Sequence, residues 1–258
     1  MGKFDGFLIC SDIDGTFHCG DTIEKNSEAV RYFTQNGGRF TFCTGRSADY
    51  LRQPQFCSLI NAPACLFNGS VVYDYRAETL LLEKRVPFTL EALFAQILPW
   101  RDRIELLYAY ESAARDALIL KKEDNLPEAA RDMHSLKIIC TFSNAKEADA
   151  FREFVRQLPL LQNCYISKSW AVGVEINAAD GTKGHALDFI KARLGNIHTA
   201  IGIGDYENDI PLLRHADMGV AVENALPEVK AAADLFVRDA KDCALVELIE
   251  MLDKKMGL

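Results

Sequence analysis

Short apolar runs that keep returning, each bracketed by a helical pattern, constrain this 258-residue chain more than any other feature of its sequence. Toward the C-terminus TAIGIGD, MGVAV and LFV are almost uninterrupted apolar stretches. The patterns ENDIPLLRHA and LPEVKAAA separate them, with GTKGHALDFIKARLG before and DCALVELIEMLDKK after. A strand that is apolar on both sides must be covered on both faces, and the helices that link the strands of a parallel sheet do this. The first third follows the same idiom: GFLICSD reads as a strand, EKNSEAVRYFTQNGG as an amphipathic helix closed by glycine, and RFTFCTG as a second strand. SADYLRQPQFCSLI is helical with an interruption at Pro54, and ACLFNGSVVYD reads as strand, turn and strand around Asn68 and Gly69. The two ends read as halves of one doubly wound parallel sheet.

The middle breaks the pattern. From Val86 to Asn177 the helical stretches TLEALFAQILPW and KEADAFREFVRQL are interleaved with strand-like RIELLYAY, LKIICTF and WAVGVEIN. That order predicts a separate α+β unit over 86–177, inserted between the core segments 1–85 and 178–258.

Charge narrows the partners. A formal net charge of −8 offers no overall positive field for DNA or for an anionic membrane surface, whereas a small phosphorylated metabolite needs only a local cation or a metal. No apolar run reaches the roughly 20 residues of a membrane span. The eight cysteines contain no CxxC pair and no zinc-ligand spacing, so free thiols packed as small hydrophobes in a reducing cytoplasm are expected.

The chemistry concentrates where strands end. In SDIDGT, Asp12 and Asp14 stand two residues apart after the apolar FLIC, so on an extended strand both face one site at its carboxyl end, where open α/β sheets bind ligands. A solvated Asx turn explains a single Asp at such a place. A chance DxDGT in a chain of this length, however, is expected on the order of a few times in a thousand. Asp205 ends the strand of IGIGDYENDIPLL, and Asn208 and Asp209 open the following helix, where either could act only as a cap. If the two strands are neighbours, Asp12, Asp14 and Asp205 make an oxygen-rich pocket of the kind magnesium prefers. In FCTGRS the Thr44 hydroxyl and the amides of Gly45 and Arg46 are placed to bind phosphate at a helix start, and Lys183 in DGTKGHAL brings an ammonium to the same kind of place.

In order and approximate spacing, DIDGT, TGR, GTKG and GDYEND resemble the four motifs of the haloacid dehalogenase superfamily. The insertion after the second motif, with LFNGS and GVAVENA, is similar to its Cof-like phosphatases. The resemblance covers nearly the whole chain and implies a Rossmann-like core with an inserted α+β cap. It makes Asp12 the nucleophile that forms an aspartyl phosphate, and Asp14 the acid for the leaving alkoxide and then the base for water. It places Mg²⁺ on Asp12, Asp205 and the Asp14 carbonyl, phosphate on Thr44 and Lys183 with help from Asn208, and Asp209 behind Lys183 or the metal. Phe17 stands where leucine is frequent and Tyr206 where asparagine is frequent, and neither change removes a reacting group.

The implied activity is Mg²⁺-dependent hydrolysis of small phosphomonoesters, sugar phosphates or related metabolites, by a monomer or small homo-oligomer. Two alternatives stand beside it: a phosphomutase of the phosphomannomutase type, and a noncatalytic metabolite-binding protein. Tyr108, Tyr110, His134 and Trp170 are candidates for cap residues that touch substrate, although aromatics on strand-like segments are more often core. His18 reads as a solvated loop residue.

Overall fold

The computed structural model describes residues 2–114 and 116–256. In chain order, β1 (Phe7–Ser11), α1 (Ile23–Gln35), β2 (Arg39–Phe42), α2 (Ala48–Leu51) and α3 (Pro54–Cys57) lead to β3 (Ala64–Leu66), β4 (Val71–Asp74) and β5 (Thr79–Glu83). Then come α4 (Leu90–Gln96), β6 (Leu106–Tyr110), β7 (Leu118–Lys121), β8 (Lys137–Thr141), α5 (Ala145–Arg156), β9 (Cys164–Ser167) and β10 (Gly173–Ala178). The chain closes with α6 (Lys183–Leu194), β11 (Thr199–Gly204), α7 (Ile210–His215), β12 (Met218–Val222), α8 (Pro227–Lys230), β13 (Leu235–Val237) and α9 (Ala244–Met256).

The central sheet is parallel, in the order β13-β12-β11-β1-β2, so strands from the two ends of the chain meet at the β11–β1 pair. Leu8, Ile9, Ile201, Ile203 and Val220 are fully buried, which explains why these strands read as continuous apolar runs. α1 packs beside α9, and α6 beside α7. Because β1, β11 and β2 run the same way, with Ser11 level with Ile203 and Phe42, the residues that follow each strand gather at one end.

β3, β4 and β5 form a small antiparallel sheet, and its third strand extends the expected strand-turn-strand. β5 lies at an edge and none of its residues is fully buried, so it carries no buried apolar period to announce it. Asn68 sits in the turn between β3 and β4 with φ +62°, a left-handed conformation that asparagine tolerates better than most residues.

The second sheet, β7-β6-β8-β10-β9, is antiparallel throughout. Alternation splits its two faces: Leu107, Ala109, Ile138, Cys140, Val174 and Ile176 point into a second apolar cluster shared with α4 and α5, separate from the central one. The residues between them point the other way. α5 is capped by Asn144, whose Oδ1 accepts from the Glu147 amide at 3.0 Å.

None of the eight cysteines is in a disulfide. Cys10, Cys43, Cys65, Cys140 and Cys243 are buried as expected, while Cys19 is exposed. Among the described residues no helix is long and apolar enough to cross a membrane.

Candidate active site

Asp12 leaves the end of β1 into a site that is almost closed to water. Its Oδ1 accepts from Lys183 Nζ at 2.6 Å, and the same ammonium donates to Asp209 Oδ1 at 2.6 Å. Lys183 is the first residue of α6, set by the N-cap Thr182, whose hydroxyl accepts from the His185 amide. A fully buried lysine there is tolerable only because two carboxylates flank it. Burial works against the Lys183 ammonium, but Asp12 and Asp209 outweigh it and hold its pKa well up.

Asp205 follows β11 on the other side of Asp12. Thr16 donates to its Oδ1 at 3.1 Å, so the end of the DIDGT loop is tied to the fourth motif. Gly15 makes the approach possible: a Cβ on it would come within 2.5 Å of Asp205 Oδ2, and its φ of +85° suits glycine. Ligand oxygens of Asp12, Asp205 and Asp209 lie within 4.8 Å of one another. Three carboxylates thus share one ammonium, an excess of negative charge. Burial, then the charges of Asp209 and Asp205 acting against Lys183, push the Asp12 carboxyl well up. Burial and Asp209 raise Asp205 to about 7. The donor set is the hard, oxygen-only kind that magnesium takes.

Within that cluster Asp209 is already engaged. Its second oxygen accepts from the amides of Asp205 and Tyr206 at 3.0 and 3.1 Å, so it fixes the turn rather than simply capping the next helix. Asp12 and Asp205 are the carboxylates of the cluster that could serve as direct ligands to a cation. Asp14 was expected near the metal through its backbone carbonyl, and its side chain stands apart from the three-carboxylate cluster. It is half-exposed and held by Arg46 in a bidentate pair, Nε to Oδ2 at 2.9 Å and Nη2 to Oδ1 at 3.0 Å.

That pairing gives Arg46 a role the sequence did not signal. The amide of Arg46, expected to point at phosphate, donates instead to Thr44 Oγ1 at 3.1 Å, while Thr44 itself is buried and lines the cavity together with Asp12. Gly45 lies under Asn68 and Lys137, and a Cβ on it would come within 2.8 Å of Asn68 Oδ1. Asn208 also reaches the wall, its Nδ2 donating to Asn68 Oδ1 at 3.1 Å.

Above this end, the second sheet presents its other face across a cavity of about 530 Å³. Tyr108, Tyr110 and Trp170 line it, as expected of cap candidates, and Tyr110 also packs against the central apolar cluster. His134 turns away, its Nδ1 on the Val86 carbonyl, and neither it nor His18 lines the cavity. Sequence reasoning missed the pair Lys137 and Glu175, whose Nζ and Oε1 are 2.5 Å apart with 2% and 1% of each side chain exposed. Burial alone would lower the Lys137 ammonium further; Glu175 opposes it, and the net direction stays down. Glu175 also accepts from Asn68 at 2.6 Å and from Ser169 at 2.5 Å, and Lys137 donates to the Gly45 carbonyl at 3.3 Å. A second tie joins Arg152 of α5 to Glu207, between Asp205 and Asp209, at 2.7 Å. Local pattern held one signal for the missed face: in LLYAY small apolar residues alternate with tyrosines, the mark of a strand covered differently on its two sides.

Comparison with known proteins agrees with this geometry. A family model described as haloacid dehalogenase-like hydrolase matches residues 9–249. The pyridoxal phosphate phosphatase YbhA of Escherichia coli is 24% identical over 94% of this chain and 97% of its own. The 5-amino-6-(5-phospho-D-ribitylamino)uracil phosphatase YcsE of Bacillus subtilis is 25% identical over 88% of each. Among solved structures, the HAD subclass IIB sugar phosphatase BT4131 superposes with a TM-score of 0.77 at 20% identity, over 95% of this chain and 98% of that one. The parallel core and the second sheet above it are therefore a shared architecture, and the chain belongs to the haloacid dehalogenase-like hydrolases as a hydrolase of phosphoric monoesters.

Proposed function

We propose that the protein is a Mg²⁺-dependent phosphatase of small phosphorylated metabolites that works through an aspartyl phosphate. The observation that carries this reading is the set of three carboxylates around one buried ammonium, at the floor of a cavity that the second sheet overhangs. Asp12 and Asp205 would hold the cation, with Asp209 and the Asp14 carbonyl beside them; when bound, it would neutralise carboxylate and phosphate charge.

The chain's own groups do the rest. An Asp12 oxygen attacks phosphorus, the bond from phosphorus to the ester oxygen breaks, and Asp14 protonates the departing alkoxide. Asp14 then takes a proton from water, whose oxygen attacks phosphorus, and Asp12 leaves as carboxylate. Lys183, the Thr44 hydroxyl, the Gly45 amide and Asn208 serve the phosphoryl oxygens, and Arg46 orients Asp14. Residues 86–177 act as the cap that excludes bulk water.

A cavity of about 530 Å³ suits a metabolite of the size of a sugar phosphate, the class the resemblance implies, and not a protein substrate. The relatives are named for chemically different phosphomonoesters, so the family alone does not select one. No observation favours a phosphomutase or a noncatalytic binder. Eight free thiols support a reducing cytoplasm. The test is phosphate release with Mg²⁺ and with EDTA, from wild type and Asp12→Asn. Release that needs the metal and vanishes in a folded variant is expected; an active Asp12→Asn protein would sink the reading.

A further inference from the structure

Glu207 is the one charged residue of the fourth-motif turn that serves neither the carboxylate cluster nor the cavity. Its neighbours on that turn are committed inward: Asp205 to the cluster with Asp12 and Asp209, Asn208 to Asn68, and Asp209 to Lys183 and to the amides of Asp205 and Tyr206. Glu207 reaches the other way, to residues 86–177. Nη1 of Arg152 on α5 donates to both of its carboxylate oxygens, at 2.7 and 2.8 Å, and the Tyr165 hydroxyl on β9 donates to its carbonyl at 3.4 Å. Side chain and backbone of one residue are therefore both held from outside the core.

The grip is built to be stiff. Ala148, Phe151 and Val155 fix α5 in the second apolar cluster, and Arg152 leaves that helix with only 18% of its side chain exposed, against 21% for Glu207. Asp149, one turn earlier, lies 3.5 Å from Arg152 and accepts from Lys168 at 2.8 Å. Lys168 is followed by Ser169 and Trp170, which line the cavity, so a line of alternating charges runs from the cavity wall to the turn. The turn needs such a restraint. Asp12, Asp205 and Asp209 repel one another with a single ammonium between them, and that repulsion works to move the turn away from Asp12.

We propose that Arg152 is a positioning residue for the reaction. Through Glu207 it holds the turn that carries Asp205, Asn208 and Asp209, so the carboxylates that would bind Mg²⁺ keep their spacing only while the cap is seated on the core. Neither Arg152 nor Glu207 lines the cavity, so this role is separate from substrate contact. It deepens the phosphatase reading above and rests on it.

The test titrates Mg²⁺ against hydrolysis of 4-nitrophenyl phosphate by wild type, Arg152→Gln, Arg152→Lys, Glu207→Gln and the double variant Arg152→Gln/Glu207→Gln. Arg152→Gln is expected to lower kcat and to raise the Mg²⁺ needed for half activity, each by about tenfold, with KM changed less than about twofold. That is the scale of losing a group that orients a metal ligand. Glu207→Gln should match it, the double variant should be no worse than either single one, and Arg152→Lys, which keeps a cationic donor, should recover most of the loss. Hydrogen exchange of the full chain, in Mg²⁺ and in EDTA, gives a readout free of turnover: the amides of 205–209 should exchange about tenfold faster in Arg152→Gln, while those of α6 stay unchanged. Both side chains are partly exposed, so either single variant suffices if the other fails to fold. No hydrolysis by wild type defeats the phosphatase reading alone, and the exchange rates then decide whether Arg152 restrains the turn. Unchanged exchange, a Mg²⁺ dependence unmoved in the single variants of an active protein, or losses that add in the double variant overturn the proposal.

Discussion

Lys137 and Glu175 form a buried ion pair on the cavity face of the second sheet, tied to the loops below through the Gly45 carbonyl and Asn68, and removing Glu175 alone should be far worse than removing both. With 2% and 1% of these side chains exposed, Glu175→Leu strands an ammonium whose remaining contact is the Gly45 carbonyl at 3.3 Å. A broken buried pair costs about 3–5 kcal/mol. The Asn68 amide, which loses its 2.6 Å acceptor, adds about 1–3 kcal/mol. Lys137→Met is milder because Asn68 and Ser169 still donate to the carboxylate. In the double variant two apolar side chains face each other, the ionic penalty disappears, and about 1–3 kcal/mol from Asn68 remains. The double variant should therefore be more stable than Glu175→Leu alone. Urea unfolding followed by tryptophan emission suits the question, because both tryptophans, Trp100 and Trp170, lie in the segment that carries the second sheet. At a slope of about 2 kcal/mol per molar, Glu175→Leu should move the midpoint down by about 2–4 M. Single losses that simply add in the double variant, or a Glu175→Leu midpoint equal to wild type, would show that the pair is not a coupled buried unit.

Other perturbations probe the catalytic end. Gly15→Ala forces a Cβ to within 2.5 Å of Asp205 Oδ2 at a φ of +85°, and should lower kcat by about 100-fold and raise the Mg²⁺ needed for half activity; a near-wild-type Mg²⁺ titration refutes this. Arg46→Gln removes both hydrogen bonds that aim Asp14, so kcat should fall about 10- to 100-fold, within what a general acid contributes, and a loss under about twofold denies Arg46 the orienting role. Asp205, raised to about 7, binds its proton more tightly folded than unfolded. In EDTA its contribution is complete below about pH 4 and is lost as pH rises through 7. Melting in EDTA should therefore weaken by a few kcal/mol between pH 5 and pH 8, and Mg²⁺ at pH 8 should restore it; a flat or rising metal-free profile contradicts the charge excess.

Much of this was legible along the chain because it is local. FLIC, TAIGIG and MGVAV are apolar on every residue, which requires a sheet covered on both faces, and motifs at strand ends fall at one edge of a parallel sheet whatever the loops do. Asp12, Lys183 and Asp205 were named from such motifs, and the fold brings them together. What the chain could not announce depends on partners far apart in sequence. The Arg46 side chain finds Asp14, 32 residues away, and Glu175 meets Asn68 across 107. Whether Tyr108 and Trp170 are core or cavity wall is undecidable from an alternating strand, since period two assigns two faces without saying what covers each. Tertiary packing settled that by laying α4 and α5 on one face and the catalytic end under the other.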